Sequence, residues 1–251
     1  MNLTREQMLA EMGITPIWRA RLAAPTGVPG EPLAAAPATT AAPADRAALV
    51  TESVAVDALN WSELAAAVAD CKACPLYGQR KQAVLGVGDR DPDWLFIGEG
   101  PGAEEDVKGE PFVGQAGKLL DNMLAALGIA RGNKVYIGNA VKCRPPGNRT
   151  PEAAEMAACR PWLERQVALL RPKVIVLLGK AAVHSLLHDD KSLAALRGRR
   201  FEYRGIPVIV TYHPAYLLRN LPEKAKAWED LLFARRCLRE SMTTGNGELA
   251  F

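Results

Sequence analysis

The sequence predicts an α/β fold, a mostly parallel sheet with helices on both faces, and three observations carry that prediction. Short apolar runs at Trp94 to Ile97, Val135 to Ile137, Val174 to Leu178 and Val208 to Thr211 read as strands buried on both sides. Stretches with helical spacing alternate with these runs. Gly98 and Gly179 close two of the runs abruptly, as strand ends require. With 251 residues and 49% hydrophobic composition, the chain has material for one substantial core plus appendages.

Taken in order, Thr4 to Gln7 has the spacing of a capping box and Gly13 is a stop, so residues 4–12 are expected to form a short helix. With Ile14, Ile17 and Trp18, residues 1–22 form a sticky peptide that either docks a partner or folds back on the domain. The wording LAEMGITPIWRAR resembles the N-terminal peptide of the psi subunit of the bacterial replicative clamp loader, which implies a replication or repair protein as partner. Residues 23–52 are rich in Ala and Pro and read as a flexible linker. The globular domain is expected over residues 53–242, with residues 243–251 as a flexible tail.

Within the domain, Asn60 to Glu63 caps a helix that runs into Cys71. A second helix starts near Ala116, continues to Leu127 and stops at Gly128. Thr150-Pro151 opens a third, which Pro161 is expected to kink or interrupt. Helix 180–187 and a last helix from Glu223 to Glu240 complete the set.

The stretch WLFIGEGPGAEEDVKGEPFVGQAGKLL organises the rest. Gly98, Gly100, Pro101 and Gly102 allow neither strand nor helix to continue, so a loop opens at a strand's carboxyl end. In an open parallel sheet the ligand crevice lies there, and Glu99, Glu105, Asp106 and Phe112 are expected to line it. The spacing is neither of the glycine-rich phosphate signatures, and three carboxylates repel phosphate.

Net charge is only +3, but its distribution is uneven. Arg131, Lys134, Lys142, Arg144 and Arg149 lie in one acid-free stretch, and Lys191, Arg197, Arg199, Arg200 and Arg204 face a single Glu202 in another. Two basic stretches suggest a polyanion partner; a solvated surface is the plainer alternative. No apolar run reaches the roughly 18 residues of a membrane span, and no signal pattern opens the chain, so a cytoplasmic location is expected.

In a reducing compartment five cysteines point to metal or redox chemistry rather than to a disulfide framework. Cys71 and Cys74 form a CxxC at a helix end, Cys143 follows a strand, and Cys159 lies in the next helix. Four thiolates suffice for one metal centre, and spacing alone does not choose between zinc and a 4Fe-4S cluster. Cys237, on an amphipathic helix beside Leu231, Phe233 and Leu238, reads as core packing.

Three segments, GEGPGAEEDVKGEPFVGQAGKLLD, NAVKCRPPGNRTP and TYHPAYLLR, preceded by CKAC and joined by Cys159, resemble the family 4 uracil-DNA glycosylases, the iron-sulfur members of their superfamily. The resemblance covers about residues 60 to 240. It implies a three-layer α/β fold with a central four-stranded, mostly parallel sheet, helices on both faces, and a 4Fe-4S cluster on Cys71, Cys74, Cys143 and Cys159 that clips loops near the DNA surface. It further implies that the chain, as a monomer, hydrolyses the N-glycosidic bond of uracil in DNA during base-excision repair.

For that chemistry His213 is the candidate donor to uracil O2 as negative charge develops. Phe112 is the candidate stacking plate for the flipped base, and Asn139 offers the donor and acceptor that match uracil and mismatch cytosine. Gly98 and Gly100 lend backbone to the pocket, and Glu105 is expected beside uracil C5, excluding the thymine methyl. Glu99, with Asn148 assisting, is expected to orient the water. Related superfamily members carry an Asp directly before the loop proline, where this chain has Gly100, and family 4 often has Ala there. Arg144, Arg149 and Arg219 are candidate phosphate contacts, while Leu217 and Leu218 are placed to wedge into the helix or simply to begin the last helix. The segment RPPGNRT lacks the His-containing insert of variants that trap uracil DNA, so turnover is expected. His184 and His188 fall outside every motif. Two alternatives stand beside this reading: a glycosylase for hypoxanthine or xanthine, and a non-enzymatic iron-sulfur accessory to replication.

Overall fold

The computed structural model describes residues 56–245, with side chains through residue 242. The expected helix over 4–12, the docking peptide 1–22 and the linker 23–52 lie outside the described residues, as do residues 246–251 of the expected tail 243–251; its residues 243–245 instead continue the last helix, which runs to Gly245 rather than ending at Glu240.

Among the described residues six strands form one sheet: β1 (Val87–Gly88), β2 (Trp94–Gly98), β3 (Val135–Asn139), β4 (Val174–Leu178), β5 (Arg200–Tyr203) and β6 (Ile206–Thr211). Their order is β1-β3-β2-β4-β6-β5. The central four are parallel and correspond to the four apolar runs; β1 and β5 add antiparallel edges. Neither edge has a continuous apolar run: β1 is two residues long, and β5 alternates exposed and half-buried positions.

The helices are α1 (Trp61–Asp70), α2 (Ala103–Lys108), α3 (Gln115–Ala126), α4 (Ala153–Leu170), α5 (Lys180–Leu187), α6 (Leu193–Leu196), α7 (Pro214–Leu217) and α8 (Glu223–Gly245). At the start of α1, Asn60 Oδ1 accepts from the amides of Ser62 and Glu63, while Glu63 reaches back to the Asn60 amide at 2.7 Å. Such a reciprocal cap is worth about 1 kcal/mol. Contrary to expectation, α4 runs uninterrupted through Pro161. Pro161 and Ala157 are both exposed, so the carbonyl that proline leaves without a donor lies where water can satisfy it.

Alternation along the strands builds two cores. Trp94 and Phe96 of β2 face α3 and α8, meeting Leu120, Leu124, Leu231 and Cys237. Leu95 and Ile97 face the opposite layer, where Leu163, Val167, Val183 and Leu186 of α4 and α5 cover them. Burying each of these large side chains contributes about 1.5–3 kcal/mol. Cys237 is 1% exposed and belongs to the core, as expected. Among the described residues, no helix is long and apolar enough to cross a membrane.

The register places the site. Gly98 lies opposite Asn139, and Leu178 opposite Thr211, so four strands finish at one level. The chain sets β3 on one side of β2 and β4 on the other, opening a crevice at their carboxyl ends.

Candidate functional site

One pocket occupies that crevice, lined among others by Glu99, Gly100, Glu105, Phe112, Asn139, Asn148, Arg149, His213 and Arg219. Gly98, expected to lend backbone to the pocket, is not among its lining residues but packs against two of them. A Cβ on this residue would lie 2.5 Å from both Asn139 Oδ1 and Phe112 Cζ, so the amide and the ring meet over a position that only glycine can fill. His213 joins them: its imidazole stacks on Phe112 with centroids 5.4 Å apart and planes inclined by 28°. Three residues distant in the sequence thus share one space.

Phe112 is held in an unusual backbone conformation, with φ 57°. Arg131 donates to the carbonyl oxygens of Pro111 (2.9 Å) and Phe112 (2.5 Å). Glu105 Oε1 accepts from the amides of Val113 and Gly114, and its Oε2 from the Gly102 amide. Glu105 therefore braces the pocket wall with both carboxylate oxygens, a use that the expected place beside a base did not include. Asp106, expected in the pocket, is buried elsewhere, where its carboxylate accepts from the Lys81 amide.

The tautomer of His213 follows from its surroundings. Its Nδ1 accepts from the Ala215 amide at 3.2 Å as the cap of α7, which leaves the proton of the neutral ring on Nε2. Burial, reinforced by the charge of Arg219 and opposed by Glu105, pushes its pKa down to about 4. The ring is a neutral hydrogen-bond donor at neutral pH. Asn139 is 2% exposed, and its carbonyl accepts from Lys142 Nζ at 2.8 Å. Burial holds the Glu99 carboxyl above its usual range, against a lowering hydrogen bond from Thr150.

Gly100 also sits in a tight place: a Cβ there would come within 2.8 Å of Val141 Cγ2, so an alanine would require Val141 to move. Asn148, exposed at φ 57°, accepts from Arg144 Nε at 2.7 Å, so Arg144 orients it. Arg149 was expected on phosphate, yet its guanidinium forms a two-pronged pair with Glu155, at 2.8 and 2.7 Å. Much of its charge is already answered there. Lys142, counted in the basic surface, is buried at 1% exposure. Of the two candidate wedge residues, Leu217 is 1% exposed and packs with Tyr212 and Ala227, which removes it from any surface role. Leu218 is 42% exposed. Arg219 stands exposed at the rim. His184 and His188 lie outside the pocket.

The four cysteines line a second, smaller cavity together with Arg80, Lys142 and Trp162. Cys71 ends α1, Cys74 opens a short 3-10 turn, Cys143 follows β3 and Cys159 lies in α4. Arg80 Nη1 donates to Cys143 Sγ at 2.9 Å, and the Lys142 amide to Cys159 Sγ at 3.2 Å. Burial raises the pKa of Cys74 and Cys143, and raises that of Cys159 to about 12 against the pull of Lys142. Among the described residues, no three His, Cys, Asp or Glu side chains converge as tightly as a single metal ion requires. The thiols share a wall instead.

Arg131, Lys142, Arg80, Tyr216 and Lys180 were not singled out individually as site residues. Lys142 carried a signal, being a lone lysine between Val141 and Cys143 at a buried strand's end. Arg131 carried none, because its partners are backbone carbonyls.

Residues 85–232 match the family model described as the uracil DNA glycosylase superfamily. The chain is 48% identical over 155 residues to the type-4 uracil-DNA glycosylase of Thermotoga maritima, covering 61% of this chain and 80% of that protein. It is 40% identical over 188 residues to the type-4 uracil-DNA glycosylase of Pyrobaculum aerophilum, covering 69% and 92% respectively. With the type-4 uracil-DNA glycosylase of Saccharolobus solfataricus the identity is 39% over 194 residues, covering 74% and 89%.

Proposed function

The chain belongs to the uracil DNA glycosylase superfamily, and from that premise we infer that it is a uracil-DNA glycosylase, hydrolysing the bond between uracil N1 and the deoxyribose C1′ to release uracil and leave an abasic site. The observation that carries this reading is the meeting of Asn139 and Phe112 at Gly98, with His213 stacked on Phe112, at the carboxyl ends of β2, β3 and β6.

Flipping the base out of a duplex costs a few kcal/mol. Stacking on Phe112 offsets about 1–3 kcal/mol of this. The Asn139 amide supplies one donor and one acceptor, which suit the O4 and N3-H edge of uracil; cytosine would leave both unpaired and is rejected. As the C1′–N1 bond breaks, its electron pair passes to the base. His213 Nε2-H donates to O2, where that charge gathers. Loss of such a donor lowers the rate by about 10²–10³. Glu99, with Asn148, orients the water that adds to C1′. Its raised pKa suits a carboxylate that must take up a proton as the water adds.

The four thiols on one wall, with the Arg80 guanidinium donating to Cys143 and the Lys142 amide to Cys159, fit an anionic 4Fe-4S group held by Cys71, Cys74, Cys143 and Cys159. Bound there, it would tie α1, the segment after β3 and α4 together and supply no bond-breaking chemistry. Arg144, Leu218 and Arg219 are proposed to meet the DNA. The reading is of one chain acting on DNA in the cytoplasm, with residues 1–22 available to a replication or repair protein.

The test is a uracil-release assay on oligonucleotides carrying uracil, hypoxanthine or xanthine, alongside iron and sulfide analysis. Near wild-type release by His213→Ala would overturn the mechanism, and hypoxanthine preferred over uracil would overturn the substrate.

A further inference from the structure

Lys142 touches both cavities. Its backbone amide donates to Cys159 Sγ at 3.2 Å, and the residue is among those lining the cysteine cavity. Its Nζ donates to the carbonyl oxygen of Asn139 at 2.8 Å, three residues back at the end of β3. The residue is 1% exposed; Cys143 is its neighbour in the chain and Cys159 the partner of its amide, both lining the same cavity. A buried ammonium is costly without a compensating anion. The Asn139 carbonyl is a dipole and carries no charge to answer it. The groups in place to do so are the thiols, once they are deprotonated around a bound centre.

We propose that Lys142 is a positioning residue joining the two sites, serving as the buried counter-charge of the cysteine-bound iron-sulfur group and holding, through the Asn139 carbonyl, the amide that reads the base. The arrangement explains why a lysine stands where β3 runs into the core, a place that otherwise holds Ala140 and Val141, both 0% exposed. It also gives the cysteine cavity a physical route to the pocket only three residues long. The proposal rests on the reading that Cys71, Cys74, Cys143 and Cys159 hold such a group.

The experiment compares full-length wild type, Lys142→Met and Lys142→Gln, purified without oxygen. Three quantities are measured: iron and sulfide per chain, the reduction potential of the bound group, and single-turnover uracil release with cytosine as the competing base. Removing a nearby positive charge disfavours the added electron, so both variants are expected to shift the potential negative. Met also deletes the donor to the Asn139 carbonyl and is expected to lower uracil release about tenfold, the weight of one lost positioning hydrogen bond. Gln keeps a donor and is expected to retain more of the rate than Met. Lys142→Met with full iron, an unchanged potential and an unchanged rate would overturn the proposal. If Met fails to fold, an unchanged potential in Lys142→Gln would do the same. Wild type without iron or sulfide would instead overturn the cluster reading beneath it, and the counter-charge role with it.

Discussion

The guanidinium of Arg131 donates to the carbonyl oxygen of Phe112 at 2.5 Å and holds the aromatic residue in a left-handed backbone conformation, φ 57°. A bulky side chain there costs on the order of 1–3 kcal/mol, and the surroundings must over-determine it. They do so from two sides, since Arg131 takes the carbonyls while Glu105 accepts from the amides of Val113 and Gly114. Replacing Arg131 with Met should therefore let the ring leave its stacking position. We expect a fall of about tenfold or more in single-turnover uracil release, with stability lowered by roughly 1–3 kcal/mol.

His213 should leave a signature in the pH dependence of stability. Its pKa falls from 6.5 to about 4 on folding, chiefly through burial. Between these values the unfolded chain binds a proton that the folded chain refuses, so stability rises with pH across this window. The contribution is complete above pH 6.5 and lost by about pH 4, and it amounts to roughly 3 kcal/mol at most. Urea unfolding from pH 4 to 7 should show a shallower slope for His213→Gln than for wild type; equal slopes would contradict the assignment.

In the proposed mechanism Glu99 is ionised when it orients water, and burial holds its carboxyl above the usual range. Activity should consequently fall on the acid side at a pH above that of an ordinary glutamate. The Thr150 hydroxyl opposes the shift, so Thr150→Val should move this limb to still higher pH, while Glu99→Gln should abolish it and lower the rate. A kcat/KM profile from pH 4 to 9, which reports the groups of the free protein, would test all three statements.

The neighbouring leucines of α7 and its end let core packing and the proposed DNA contact be tested separately. Leu217→Ala removes a side chain that is 1% exposed and should cost about 2–5 kcal/mol in unfolding free energy. Leu218, 42% exposed, should change stability by less than about 0.5 kcal/mol when truncated. If it wedges the duplex, Leu218→Ala slows release from duplex DNA more than from single strands. Equal effects on the two substrates would remove it from base flipping.

Much of this was legible along the chain. Four apolar runs marked the four parallel strands, because burial on both faces demands continuous apolar sequence. Capping chemistry at Asn60 and the glycines after β2 are local events, readable from a few adjacent residues. The edge strands were not, since β5 alternates and β1 is too short to show a period. Helix α2 was hidden within a stretch read as loop, and Pro161 misled because its local cost is small on a wet helix face.

By itself, the sequence determined which chemical groups are present: an imidazole before a proline, an amide at a strand end, four thiols and a lysine beside one of them. Folding decided what each group does. It turned Leu217 and Lys142 inward and gave Arg149 to Glu155. It also brought Phe112 and Asn139 together at Gly98 and stacked His213 on Phe112. The difference lies in range: propensity, capping and hydrophobic period act between near neighbours, whereas the partner of a side chain, and so its charge and orientation, is chosen by strand register and by elements far away in the chain.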